Sequence, residues 1–254
     1  MAGGSVPVRR SLPRQSLSNR VLEILWDDAA EWNVSKRVAT AIAAAPLIFG
    51  GAIGSTKVVH RLYQLLTTED GIIEWFQFFA LVVAVIATAL VALELRRTGR
   101  LGWAAFYALG ALAVFFVAGE EISWGQRIFG WMTPQKFWEM NVQGETNLHN
   151  LRPRYFNIAM LGVAGYLTIA PLVVAWARRS SRSLPDTSLL VPPLIVATSF
   201  AVTFTYNLYR VLLHGAIGGS FAEVGELALY MGAATYVVLL LRKLRAVDRS
   251  VRVR

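Results

Sequence analysis

The chain has 254 residues, of which 55% are hydrophobic and 16% charged, whereas an ordinary soluble domain carries about 25% charged residues. Its net charge of +9 and pI near 10.2 would suit nucleic acid, but the charges lie between long apolar runs and form no single basic face. That layout argues against a soluble fold, and the lack of cysteine excludes disulfides, a thiol nucleophile and thiolate metal sites.

Residues 1–20 are rich in Pro, Ser and Arg without an apolar centre, so they read as a disordered basic tail and not as a cleavable signal. Over 21–37, Val21, Leu22, Ile24, Leu25, Trp26 and Trp32 fall on one side. This predicts an amphipathic helix, lying on the membrane surface or packed beneath a bundle. Six apolar segments follow, at 38–55, 73–94, 102–119, 157–177, 189–209 and 221–241, each near the roughly 20 residues that cross a bilayer as a helix. Pro46 interrupts the first, and Pro192 with Pro193 sits near the start of the fifth, where a helix tolerates proline best. A long loop, 120–156, separates the third and fourth segments, and a basic tail, 242–254, closes the chain. The expected fold class is therefore all-α: a polytopic transmembrane helix bundle of about six spans filling 38–241, without internal repeats.

Lys and Arg set the orientation, because they are retained on the cytoplasmic side. Six lie in the amino tail (Arg9, Arg10, Arg14, Arg20, Lys36, Arg37), and Arg96, Arg97 and Arg100 lie in the second loop. The fourth loop holds Arg178, Arg179 and Arg182, and the carboxyl tail holds Arg242, Lys243, Arg245, Arg249, Arg252 and Arg254. The other loops share Lys57, Arg61, Arg127, Lys136, Arg152, Arg154 and Arg210. The excess predicts cytoplasmic termini and explains the high pI through topology and anionic lipid, without nucleic acid.

With that orientation, His60, His149 and His214 all fall on the outer side, as do Glu69, Asp70, Glu74, Glu120, Glu121, Glu139, Glu145, Glu223 and Glu226. An ionisable group at membrane depth costs about 2.5–3.5 kcal/mol on insertion scales, so it points to function. Glu223 and Glu226 share a face at the start of the sixth span. Glu223 also fits the favourable field of a helix amino end, whereas Glu226 lies a turn deeper. Glu120 and Glu121 close the third span, where the helix dipole disfavours acids; a continuing helix would place Glu120, Trp124 and Arg127 on one side. Trp124, Trp131 and Trp138 suggest that the long loop runs along the interface. Glu145 and His149 are four residues apart, a ligand-like spacing if helical and equally compatible with a structural hydrogen bond. Thr203, Asn207, Arg210 and His214 form one helical stripe, and Glu74 with Gln77 repeats the pattern on the second span. His60, flanked by Lys57 and Arg61, reads as a solvated surface residue. The expectation is one outward-facing chamber fed by spans two, three, five and six.

The strings Gly119-Glu120-Glu121-Ile122-Ser123-Trp124-Gly125-Gln126-Arg127 and Asn147-Leu148-His149-Asn150 resemble a signature of small, uncharacterised bacterial multi-span membrane proteins. The resemblance covers roughly 110–155, implies a bacterial inner membrane and brings no activity with it. A looser likeness is to the CAAX-type membrane peptidases, which carry paired glutamates followed by Arg and two later His motifs. Here Gly125 stands where that Arg belongs, Arg127 comes two positions late, and Glu145 replaces an aromatic residue four before His149.

Two functions compete. The first is a metal-dependent hydrolase or transferase acting on a lipid or lipid-linked substrate. Glu121, His149, His214 and Glu226 would hold a divalent metal such as zinc, and Glu120 or Glu145 would serve as general base. Gln126, Arg127, Asn207 and Arg210 would bind the substrate, the arginines through an anionic headgroup. The second is non-enzymatic: a transporter, a proton-coupled carrier or a lipid-binding envelope component. A third role, locking the helices together by interhelical hydrogen bonds, also fits the residue types.

Overall fold

The computed structural model describes residues 16–67, 71–141, 144–148, 151, 153–180, 184–213 and 221–252, with the side chains of Arg127, Pro153, Leu213 and residues 249–252 outside the description. Among the described residues the protein is helical throughout, with no strand. Helix α1 spans Leu17–Glu31 and starts where Ser16 Oγ accepts the Asn19 N–H at 3.3 Å, a side-chain cap for an otherwise unpaired amide. It begins earlier than the apolar pattern suggested and stops at Asn33, whose φ of +53° turns the chain into α2. Helix α2, Lys36–Ser55, is capped by Ser35 and runs through Pro46. Helix α3 is His60–Thr67, α4 Ile72–Arg97 and α5 Leu101–Glu121. Two short helices occupy the long loop, α6 at Gln126–Phe129 and α7 at Gln135–Met140. Helix α8 is Pro153–Arg179, α9 Ala197–Leu213 and α10 Ala222–Arg252.

Helices α2, α4, α5, α8 and α10 are long and apolar enough to cross a membrane. The expected fifth span is displaced. Its helix begins at Ala197, because Pro192 and Pro193 precede a short 3-10 turn at Leu194–Val196 instead of entering the helix. At 1.5 Å per residue the 17 residues of α9 cover about 26 Å, and the turn adds about 6 Å.

Helix α4 packs along both α5 and α10, α9 along α8, α10 and α2, and α5 and α8 stand at the two ends of this arc. Val91, Leu95, Ile195, Phe200 and Leu240 are completely buried between the layers. Leu109 and Leu112 on α5 and Phe79 and Ile86 on α4 are more than half exposed, as side chains facing lipid should be. Gly232 lets α10 approach α9 closely: a Cβ there would stand 2.8 Å from Ser199 Cβ, the small-residue contact common between membrane helices.

One end of the bundle is tied by polar contacts from both termini. Asp28 Oδ2 accepts the Leu194 N–H at 2.6 Å, and Arg178 pairs with Asp28 and Glu31. The Lys243 ammonium lies 4.9 Å from the Trp32 ring centre and 3.2 Å from Asp186 Oδ1. Tyr107 donates to Leu189 O at 2.7 Å, and Tyr236 donates to Ser188 O at 2.9 Å. Helix α1, the ends of α8 and α10 and the start of α9 thus share this end, leaving the acid-rich side chains of the sequence at the other.

Candidate functional site

The site begins where α5 ends. Glu120 and Glu121 lie in the last turn, both almost fully buried, and the chain then passes through three left-handed residues, Ser123, Trp124 and Gly125, at φ +46°, +57° and +87°. For the serine and tryptophan this backbone costs about 1–2 kcal/mol each, and such strain concentrates at working sites. Side-chain contacts hold it in place. Trp124 folds back over Gly119, where an added Cβ would meet its ring at 2.9 Å. Its Nε1–H donates to Glu120 Oε1 at 2.6 Å, and its ring stands edge-on to Phe116 at 5.2 Å. The helix does not continue past Glu121, and Glu120 meets Trp124 through a reversal of the chain.

The other Glu120 oxygen accepts the Leu148 N–H at 2.5 Å, joining the helix end to the loop 28 residues later. Inside that loop, Ser123 Oγ donates to Glu145 Oε2 at 2.7 Å, and Asn147 Nδ2 donates to the same oxygen at 3.0 Å. Asn141 Nδ2 in turn donates to Asn147 O and Oδ1, both at 2.8 Å. The Gln126 amide bridges the loop as well, accepting from Thr146 N at 2.9 Å and donating to Thr133 Oγ1 at 2.6 Å. Residues 144–148 are not helical. Gly144, at φ +69°, opens the segment, so Glu145 lies outside any helix and turns toward Ser123, while His149 lies outside the described residues.

Glu121 points the other way, into the bundle, where Oε1 accepts the Tyr230 hydroxyl of α10 at 2.8 Å. One turn earlier on α10, Glu226 is partly buried within electrostatic range of Glu223, Glu121, Glu74 and Arg210. Gln77 of α4 is completely buried; its Nε2 donates to Glu223 O at 2.8 Å and Oε2 at 3.0 Å, while its Oε1 has no partner among the described residues. From α9, Thr203 donates to Gly225 O at 2.6 Å, and buried Asn207 donates to Thr203 O at 3.0 Å. The Arg210 guanidinium lies 5.8 Å from the Tyr206 ring centre. Helices α4, α5, α9 and α10 thus bring Gln77, Glu121, Glu226 and Arg210 into one region.

Of the four residues expected to hold a metal, Glu121 and Glu226 stand in this cluster, while His149 and His214 lie outside the described residues. Among the described residues no three His, Asp or Glu side chains could share an ion. The side chain of Arg127 is likewise outside the description. Ser123 and Asn147 stood in the signature strings without a role assigned to them, and Asn141 and Tyr230 escaped the sequence reading. The two asparagines sit in a glycine-containing loop, a usable signal for side-chain turns; Tyr230 lies in an apolar helix and offers none.

Beside this network lies a crevice of about 270 Å³, lined by Phe116, Val117, Glu120, Glu121, Leu148, Tyr155 and Phe156. It joins two carboxylate side chains to apolar and aromatic walls, the lining suited to an amphiphile. No family model, curated protein or solved structure matches the chain.

Proposed function

We propose that this is a six-span protein of a bacterial inner membrane with both termini cytoplasmic, belonging to the small multi-span group whose signature it resembles. We further propose that its outer end is the active site of a hydrolase or transferase acting on a lipid or lipid-linked substrate. One observation carries the enzymatic reading: the crevice of about 270 Å³ sets Glu120 and Glu121 against a wall of Phe116, Val117, Tyr155 and Phe156. Carboxylates beside an apolar slot in a membrane meet molecules with a polar head and a hydrocarbon tail.

In this reading Glu121, oriented by Tyr230, moves a proton at the scissile group, and Glu120 holds the loop that closes over it. Glu145 keeps the loop shape through Ser123 and Asn147. Gln126 braces the loop through Thr133 and Thr146, Asn207 is tied to Thr203 within α9, and Arg210 supplies positive charge beside Glu226. The metal-dependent form requires His149 and His214 to join Glu121 and Glu226; a divalent ion so held would lower the pKa of a bound water toward neutrality.

The carrier reading has less support, since the described ionisable groups gather at the two ends. A proton or solute path would need polar groups along the intervening length.

Comparative lipid analysis of membranes from cells expressing the native protein, Glu121→Gln or Glu120→Gln tests the chemistry. A lipid species should change with the native protein and revert with Glu121→Gln; identical profiles would refute the enzyme. Metal content of purified protein near one ion per chain, lost in His149→Ala, would support the metal-dependent form. The chain has no cysteine, so single-cysteine variants report topology directly. Met132→Cys should react with an impermeant maleimide in intact spheroplasts, and Arg245→Cys only after lysis.

A further inference from the structure

The crevice has a position that its lining alone does not convey. The helices form an arc in which α5 packs on α4 and α8 packs on α9, but α5 and α8 scarcely touch. At the end that holds α1, the gap between them is bridged by the segment before α9: Tyr107 of α5 donates to Leu189 O at 2.7 Å, and Tyr166 of α8 donates to Leu190 O at 3.1 Å. Toward the other end the described link is a loop contact, the Leu148 N–H donating to Glu120 Oε2 at 2.5 Å. There the gap becomes the crevice, with Phe116 and Val117 from α5, Tyr155 and Phe156 from α8, and Glu120, Glu121 and Leu148 completing its lining. A slot between two helices that both cross a bilayer would border the lipid.

We propose that this slot is a lateral portal that takes one hydrocarbon chain of a membrane lipid and brings its head to Glu120 and Glu121. The proposal rests on the lipid-active reading above and names the route by which such a substrate arrives. The walls apart from the two carboxylates are apolar or aromatic, so a tail is favoured against those walls and a polar head beside Glu120 and Glu121. The occupant follows from the lining: Phe116, Val117, Leu148 and Phe156 offer hydrocarbon surface between two helices long and apolar enough to cross a membrane, where lipid tails are the surrounding solvent.

The test uses full-length protein in nanodiscs of phosphatidylethanolamine and phosphatidylglycerol, doped with a phosphatidylethanolamine bearing a mid-chain diazirine. After photolysis, adducts are mapped by mass spectrometry. They should concentrate on Phe116, Val117, Tyr155 and Phe156 relative to Leu109 and Ile169, which are exposed on the same two helices. Val117→Phe should cut slot adducts about tenfold, the effect of a little over 1 kcal/mol of overpacking, and leave Leu109 adducts unchanged. Val117→Ala, which widens the slot, should retain them and guards against misfolding. Adducts no more frequent in the slot than on Leu109, or unaffected by Val117→Phe, would overturn the portal. Glu121→Gln separates the two proposals: slot labelling that persists while the lipid profile is insensitive to Glu121 would sink the enzyme and leave the portal standing.

Discussion

Asp28 offers the most quantitative test of the packing. Its carboxylate is nearly enclosed, with 10% of the side chain exposed. It accepts the Leu194 N–H at 2.6 Å, lies 3.7 Å from Arg178 and has Glu31 and Lys243 nearby. Burial raises its pKa to about 6 from 3.8; the Leu194 hydrogen bond, Arg178 and Lys243 pull it down without cancelling the cost, and Glu31 pushes it further up. At 1.36 kcal/mol per pH unit, the charged form costs the fold roughly 3 kcal/mol at pH 7. Because the folded value is the higher one, the stabilising contribution is complete below the unfolded value of 3.8 and is lost as pH rises through about 6. The α1 end should therefore tighten on acidification from pH 7 to pH 5. Asp28→Asn keeps an oxygen for Leu194 and removes the charge, so it should match or exceed the native protein at pH 7 and flatten the pH dependence. Asp28→Ala instead leaves the Leu194 amide unpaired and should cost about 1–3 kcal/mol. Thermal unfolding in detergent at three pH values, with hydrogen exchange of α1 and Leu194, measures both. Refutation would be a Tm that falls between pH 7 and pH 5, or Asp28→Asn as damaging as Asp28→Ala.

Three further outcomes follow from contacts described above. Gly119→Ala should displace the Trp124 ring, whose atoms stand 2.9 Å from the added methyl, and break the bond to Glu120; tryptophan fluorescence and lipid turnover should change together while the helix content stays constant. Asn147→Ala removes the donor to Glu145 and Ser123 and the side-chain acceptor for Asn141 and should cost about 3 kcal/mol at roughly 1 kcal/mol per bond, seen as faster proteolysis of the 130–148 loop. Gly232→Val pushes a branched side chain into Ser199 and Phe200 and should destabilise by about 1–3 kcal/mol, read as a lower Tm, whereas a change at exposed Met231 should be nearly silent.

The apolar runs by themselves determined that the chain is helical with segments long enough for a bilayer, because a hydrocarbon solvent demands uninterrupted apolar helices whatever their neighbours. They also placed Glu120, Glu121 and Glu226 where acids are costly, a local property of helix position. The start of α9 was misjudged because hydropathy does not register that Pro192 and Pro193 suit a turn before a helix better than its first span residues. The left-handed run at Ser123–Gly125 was likewise hidden, since its stability comes from Gly119, Glu120 and Glu145 together and not from local propensity. Tertiary structure alone decided that Tyr230 would meet Glu121 across 109 residues and Asp28 would meet Leu194 across 166. It also left α5 and α8 unpacked at the acid-bearing end. Pairings of that range depend on which helices become neighbours, and in an apolar solvent that choice rests on small steric and hydrogen-bond differences that hydropathy does not record.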